Sequence, residues 1–100
     1  MIMKRNNESD ELHNVPLDDY KNYYYSNDID VASTLICKGY ELVDITPISQ
    51  NKATFVFKNH PAITDAVEGF WSNRIEFRPL EFANVRKNLK SRIFGMRKTY

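Results

Sequence analysis

The chain has 100 residues, 42% hydrophobic and 13% aromatic, a single-domain length whose core must lean on Tyr and Phe. Its lone cysteine, Cys37, excludes a disulfide framework, and with only His13 and His60 beside it no Cys/His metal cluster can be assembled, so no cofactor is expected. The first residues lack the apolar run of a signal peptide and no stretch approaches the roughly 20 apolar residues that cross a bilayer, which together with the cysteine usage points to a reducing cytoplasm and no membrane.

The formal net charge is +1, but residues 1–31 hold three Lys/Arg against seven Asp/Glu, residues 32–73 three against four, and residues 74–100 eight against two, giving −4, −1 and +6. This polarity predicts a polyanion-binding or partner-binding surface near the C-terminus, or an acidic leader drawn onto the basic end of its own chain.

Residues 1–20 are polar, acidic and aperiodic, and read as a flexible acidic arm. Residues 21–26 follow as a short strand, since consecutive Tyr23, Tyr24 and Tyr25 suit a pleated sheet. A first helix over 28–38 is predicted by Ile29, Ala32, Leu35 and Ile36 at helical spacing, with Ser26 or Asn27 as N-cap and Asp28 and Asp30 on the helix dipole. Gly39 is its stop, because a left-handed backbone costs Gly nothing.

Residues 40–48 and 53–58 read as strands joined by the polar loop Ser49–Lys52. Phe55 and Phe57 alternate with Thr54 and Val56, and Pro47 belongs at an edge or a bulge. Asn59 or His60, with Pro61, starts a second helix whose buried stripe is Ile63, Ala66, Val67, Phe70 and Trp71, and Ser72-Asn73 ends it.

Residues 74–77 alternate as a short strand, with Ile75 and Phe77 on one face. A third helix over 79–94 carries the seam Phe82, Val85, Leu89 and Ile93, with Gly95 as its end and 96–100 as a basic tail. The expected architecture is therefore an α+β domain over 21–95, β-α-β-β-α-β-α. Its first six elements match a ferredoxin-like antiparallel sheet with two helices on one face, and the third helix is an appendage.

The stretches Tyr25-Ser26-Asn27-Asp28, Lys38-Gly39-Tyr40, Thr54-Phe55-Val56-Phe57, Phe70-Trp71 and Leu89-Lys90-Ser91 resemble a family of short bacterial, archaeal and phage proteins catalogued only as a domain of unknown function. The resemblance spans residues 23–93. The chain departs from it in the acidic arm and in Ile29, where the family favours Leu. The resemblance implies no activity, only accessory or regulatory roles in phages and mobile elements.

For function, the basic end is the strongest lead. Arg86, Lys87, Lys90, Arg97 and Lys98 fall on one flank of the third helix, Arg92 falls on the other, and Arg74 and Arg78 precede it. Such a stripe attracts phosphate backbones, though it also describes a solvated face whose last-turn cations complement the dipole. Tyr23, Tyr25, Phe55 and Phe57 are candidates for base stacking or protein docking, against a reading as ordinary sheet and core packing.

His60 sits at a helix entry with no nucleophile beside it, Asp18/Asp19 and Asp28/Asp30 are explained by solvation and the helix dipole, and Cys37 reads as a small buried hydrophobe. The expectation is a non-enzymatic nucleic-acid-binding accessory protein. The alternative is a small inhibitor or adaptor that binds a host or phage protein. A homodimer through the third helix or an edge strand is compatible with either.

Overall fold

In the computed structural model, which describes residues 19–98, the elements are β1 (Tyr23–Ser26), α1 (Ile29–Cys37), β2 (Leu42–Pro47), β3 (Ala53–Lys58), α2 (Ile63–Trp71) and α3 (Pro79–Lys98). The α+β class and the order of these six elements are as read from the sequence. The arm expected over 1–20 falls outside the described residues from 1 to 18; its last two positions, Asp19 and Tyr20, lead into the turn before β1.

The described strands form one sheet in the order β1-β3-β2, with β3 antiparallel to both neighbours. This is the centre of the split βαβ arrangement. Pro47 ends the edge strand β2, where its missing N–H breaks no ladder, and a register shift between Leu42 and Asp44 bulges the same strand. Alternation then assigns the two faces. Phe57 lies opposite Tyr24 and Leu42, and Phe55 opposite Ile45, so these side chains share the face that packs on the helices. Tyr23 and Tyr25 lie opposite Lys58 and Val56 and point to the other face.

α1 is capped by Asp28, not by Ser26 or Asn27. The Asp28 carboxylate accepts the N–H of Asp30 at 2.8 Å and of Val31 at 3.0 Å, a cap that typically stabilises by about 1 kcal/mol. Ser26 instead accepts the Asp28 N–H at 3.2 Å, and Asn27 accepts the Thr54 hydroxyl at 2.8 Å. The five residues Val31 to Leu35 are all buried, because α1 packs against β1, α2 and α3 together. Ser33 and Thr34 tolerate this by donating their hydroxyls to the carbonyls of Ile29 at 2.8 Å and Asp30 at 2.9 Å. Gly39 takes the left-handed conformation its position requires, with φ 93°.

Further along the chain the structure corrects several expectations. α2 begins at Ile63 after a turn in which His60 Nδ1 accepts the Ala62 N–H at 3.0 Å, so neither Asn59 nor Pro61 opens the helix itself. Its stripe closes with Ile63, Ala66, Val67 and Phe70, leaving Trp71, at the last helical position, 65% exposed and edge-on to Phe70.

The strand expected at 74–77 does not form. Asn73 turns left-handed at φ 59°, its N–H bonding the Phe70 carbonyl at 3.0 Å and the Arg74 N–H bonding the Gly69 carbonyl at 2.9 Å. That pair of bonds reverses the chain over the end of α2. Ile75 then lies over Gly69, and the Glu76 carbonyl accepts the Lys38 ammonium at the end of α1. The segment is drawn onto the helical layer and away from a sheet edge.

α3 runs through Gly95 to Lys98, so neither the helix end at Gly95 nor a separate tail from 96 exists up to that residue. Glycine costs about 1 kcal/mol inside a helix. Ile93 and Met96 pack on the core either side of Gly95 and offset that cost. Leu89 and Ile93 are buried with Phe55 and Phe57, which makes α3 a part of the core and not an appendage.

Candidate nucleic-acid interface

Six of the eight cations of the C-terminal quarter are mounted on α3, a helix that buries Leu89 and Ile93 in the core. Arg86 and Lys90, followed by Phe94, recur every four residues and so line one flank of α3. α3 runs antiparallel to α1, since Asp30 at the start of α1 meets Arg86 while Lys38 at its end meets Glu76. Arg86 Nε donates to Asp30 Oδ1 at 2.5 Å, with both side chains about 40% exposed (39% and 42%). An ion pair this exposed contributes little stability. It fixes where the guanidinium lies and partly neutralises it.

Lys87 and Lys90 are exposed, and among the described residues neither forms an ion pair. With Ala83, Arg86, Ser91 and Phe94 they line a shallow groove of about 590 Å³. A second groove, of about 570 Å³, adjoins it and shares Arg86, Lys90 and Phe94. Its far side is the start of α1, with Asp28 and Asp30, and the β2–β3 hairpin, with Asn51 and Lys52.

The eight candidate cations therefore do not form one patch. Arg92 lies on the opposite flank, where it lines a groove of about 360 Å³ with Tyr40 and Leu42. Arg74, in the loop after α2, donates its Nε to Ser72 Oγ at 3.1 Å, and Arg78 precedes the first residue of α3. At 1.5 Å of rise per residue, Arg78 stands roughly 18 Å along the axis from Lys90. Arg97 and Lys98 belong to the last turn of α3, and their side chains lie outside the described residues.

Two of the four aromatic candidates are corrected outright. Phe55 and Phe57 are 1% and 0% exposed and belong to the core, so neither can stack on a base. Tyr23 and Tyr25 are half-buried on the sheet face away from the helices, Tyr25 edge-on to Tyr20 at 5.3 Å between ring centres. Burial, above the other influences on it, pushes the Tyr25 phenol up from its ordinary value. These tyrosines and the α3 flank lie on opposite sides of the sheet and do not make a joint surface.

Sequence reasoning passed over Lys52 and Phe94. Phe94 was legible as the residue four beyond Lys90 and eight beyond Arg86. Lys52 carried no local signal, because its approach to α3 depends on how the hairpin folds back.

Cys37 is half-buried, and burial, then the Glu81 carboxylate, push its thiol up, away from the reactive thiolate. Among the described residues no group of three His, Cys, Asp or Glu side chains is placed to hold a metal ion. Among them, too, no helix is long and apolar enough to cross a membrane.

The family described as a domain of unknown function, DUF5659, matches residues 21–95, the span from the turn before β1 to Gly95 of α3. The chain belongs to the DUF5659 family. No curated protein and no solved structure matches it. The DUF5659 match takes in Lys52, Arg86, Lys87, Lys90 and Phe94, so the grooved flank is built within the domain and not added to it.

Proposed function

We propose that this domain is a non-enzymatic, cytoplasmic accessory protein that binds nucleic acid through the basic flank of α3. The observation that carries the reading is the convergence of Lys87 and Lys90, without acidic partners among the described residues, beside Arg86, with Lys52 lining the adjoining groove from a different element. Cations held on a core helix lose little freedom when they meet phosphate, and the counterions released from the nucleic acid drive binding. The contacts are to the backbone, which positions the nucleic acid without reading its sequence. Arg74, Arg78 and Arg92 add long-range attraction but do not share the contact surface.

A mobility-shift titration over salt tests this. Binding is expected to be tightest at low salt and to fall linearly on a log–log plot. Changing Lys87 and Lys90 together to Ala is expected to lower that slope by about 2, one per phosphate contact. Retention indifferent to salt, or none at low salt, ends the proposal.

A second reading, docking to a host or phage protein, is favoured by a different observation. Trp71 and Leu80, 65% and 73% exposed, bracket Arg74 and Arg78 where α2 passes into α3. Exposed aromatic and arginine side chains together suit the centre of a protein interface. Under this reading a nuclease-treated pulldown recovers one partner with the wild type and loses it with Trp71→Ala/Leu80→Ala. Equal recovery by both proteins excludes that surface.

A further inference from the structure

We propose that the groove between the start of α1, the β2–β3 hairpin and α3 takes a single strand, one base stacking on Phe94 while Lys52, Lys87 and Lys90 hold the phosphates beside it. This rests on the nucleic-acid reading above and specifies the form of nucleic acid.

The shape comes first. A helix that reads a duplex must lie in a major groove about 12 Å wide. The cationic flank of α3 instead shares a concavity of about 570 Å³ with the hairpin residues Asn51 and Lys52, so part of it is recessed beside a second element. That volume falls within the range of pockets that enclose a small organic group, as one nucleoside is.

The distribution of charge decides which part of the strand enters. Asp28 and Asp30 form one wall of the groove, the first occupied in capping α1 and the second in holding Arg86. Carboxylates there repel phosphate but accept hydrogen bonds from the exocyclic amines of bases. The lysines occupy the α3 and hairpin sides. A strand with its base turned inward and its phosphates at the lysines satisfies both, whereas a duplex presents its phosphates outward and hides its base faces.

Phe94 supplies the stacking surface. It is 49% exposed, lies one helical turn beyond Lys90 and lines both adjoining grooves, so a base on its ring places the neighbouring phosphates within reach of the lysines. Stacking on an aromatic ring is tolerant of base identity. The Asn51 amide, with both donor and acceptor, lines the same groove.

The test measures fluorescence anisotropy with three labelled probes of equal length: a mixed-sequence single strand, an abasic strand, and a duplex. Each is used as DNA and again as RNA. The wild type is expected to bind the single strand at least about tenfold tighter than the abasic strand or the duplex, with either sugar. Phe94→Ala is expected to weaken the single strand by about 5- to 150-fold and leave the abasic strand unchanged, while Phe94→Trp retains binding. Far-ultraviolet circular dichroism confirms that each variant is folded.

Equal affinity for the abasic strand, a preference for the duplex, or a Phe94→Ala loss shared by all probes overturns the proposal and leaves the backbone-binding reading in place. Failure of every probe to bind at low salt removes both.

Discussion

Replacing Phe57 with Ala is expected to remove about 3–5 kcal/mol of stability, a large part of the total for a domain of this size. The ring is 0% exposed on the central strand, with Tyr24 opposite it in β1 and Leu42 opposite it in β2. Truncation deletes its buried surface and leaves a cavity that two flanking strands and a helical layer cannot collapse to fill. The expected result is a much lower urea midpoint with a nearly unchanged slope. A loss below about 1 kcal/mol would mean that the ring is accessible, and would restore Phe57 as a stacking candidate. The outcome therefore separates a core strand from a binding strand, two roles that the same Thr-Phe-Val-Phe pattern fits equally well.

Leu89→Ala is expected to cost about 2–5 kcal/mol, whereas Lys87→Ala, two residues away, is expected to stay within about 0.5 kcal/mol of the wild type. Leu89 is 1% exposed and joins Ile93 in the cluster formed by the sheet and α1, while Lys87 is exposed on the flank. The contrast tests whether α3 is a structural layer or an attachment. If Leu89→Ala is as mild as Lys87→Ala, α3 is loosely held, and the positions of Arg86, Lys90 and Phe94 relative to the hairpin are not fixed. If the large difference is found, the cations sit on a rigid element, as a pre-arranged phosphate surface requires. Chemical denaturation followed by circular dichroism measures both variants.

The proposed binding flank is held in place from the opposite side of α3. The Arg86–Asp30 pair is too exposed to hold α3 in place, so the helix is positioned by apolar burial at Leu89 and Ile93. Its polar flank can then change without unfolding the domain. Variants on that flank are consequently readable as tests of the proposed binding, because stability is carried by the other side of the helix.

The amino-acid sequence by itself determined the α+β class, the succession of strand and helix, the β3 boundaries, the left-handed Gly39 and the concentration of cations on the last helix. Each depends on side chains within a few positions of one another: a two-residue alternation, a 3.6-residue stripe, a cap, or a glycine after a helix. Only the tertiary structure decided that Phe55 and Phe57 face the helices, that 74–77 is held by Lys38 and Gly69 and not by a strand, that α3 continues past Gly95, and that three of the eight cations share one groove while two of those three also share the adjoining groove lined by Lys52. Those outcomes rest on meetings such as Asp30 with Arg86, 56 residues apart. No local pattern encodes them, because the free energy that selects them comes from burying several distant segments at once.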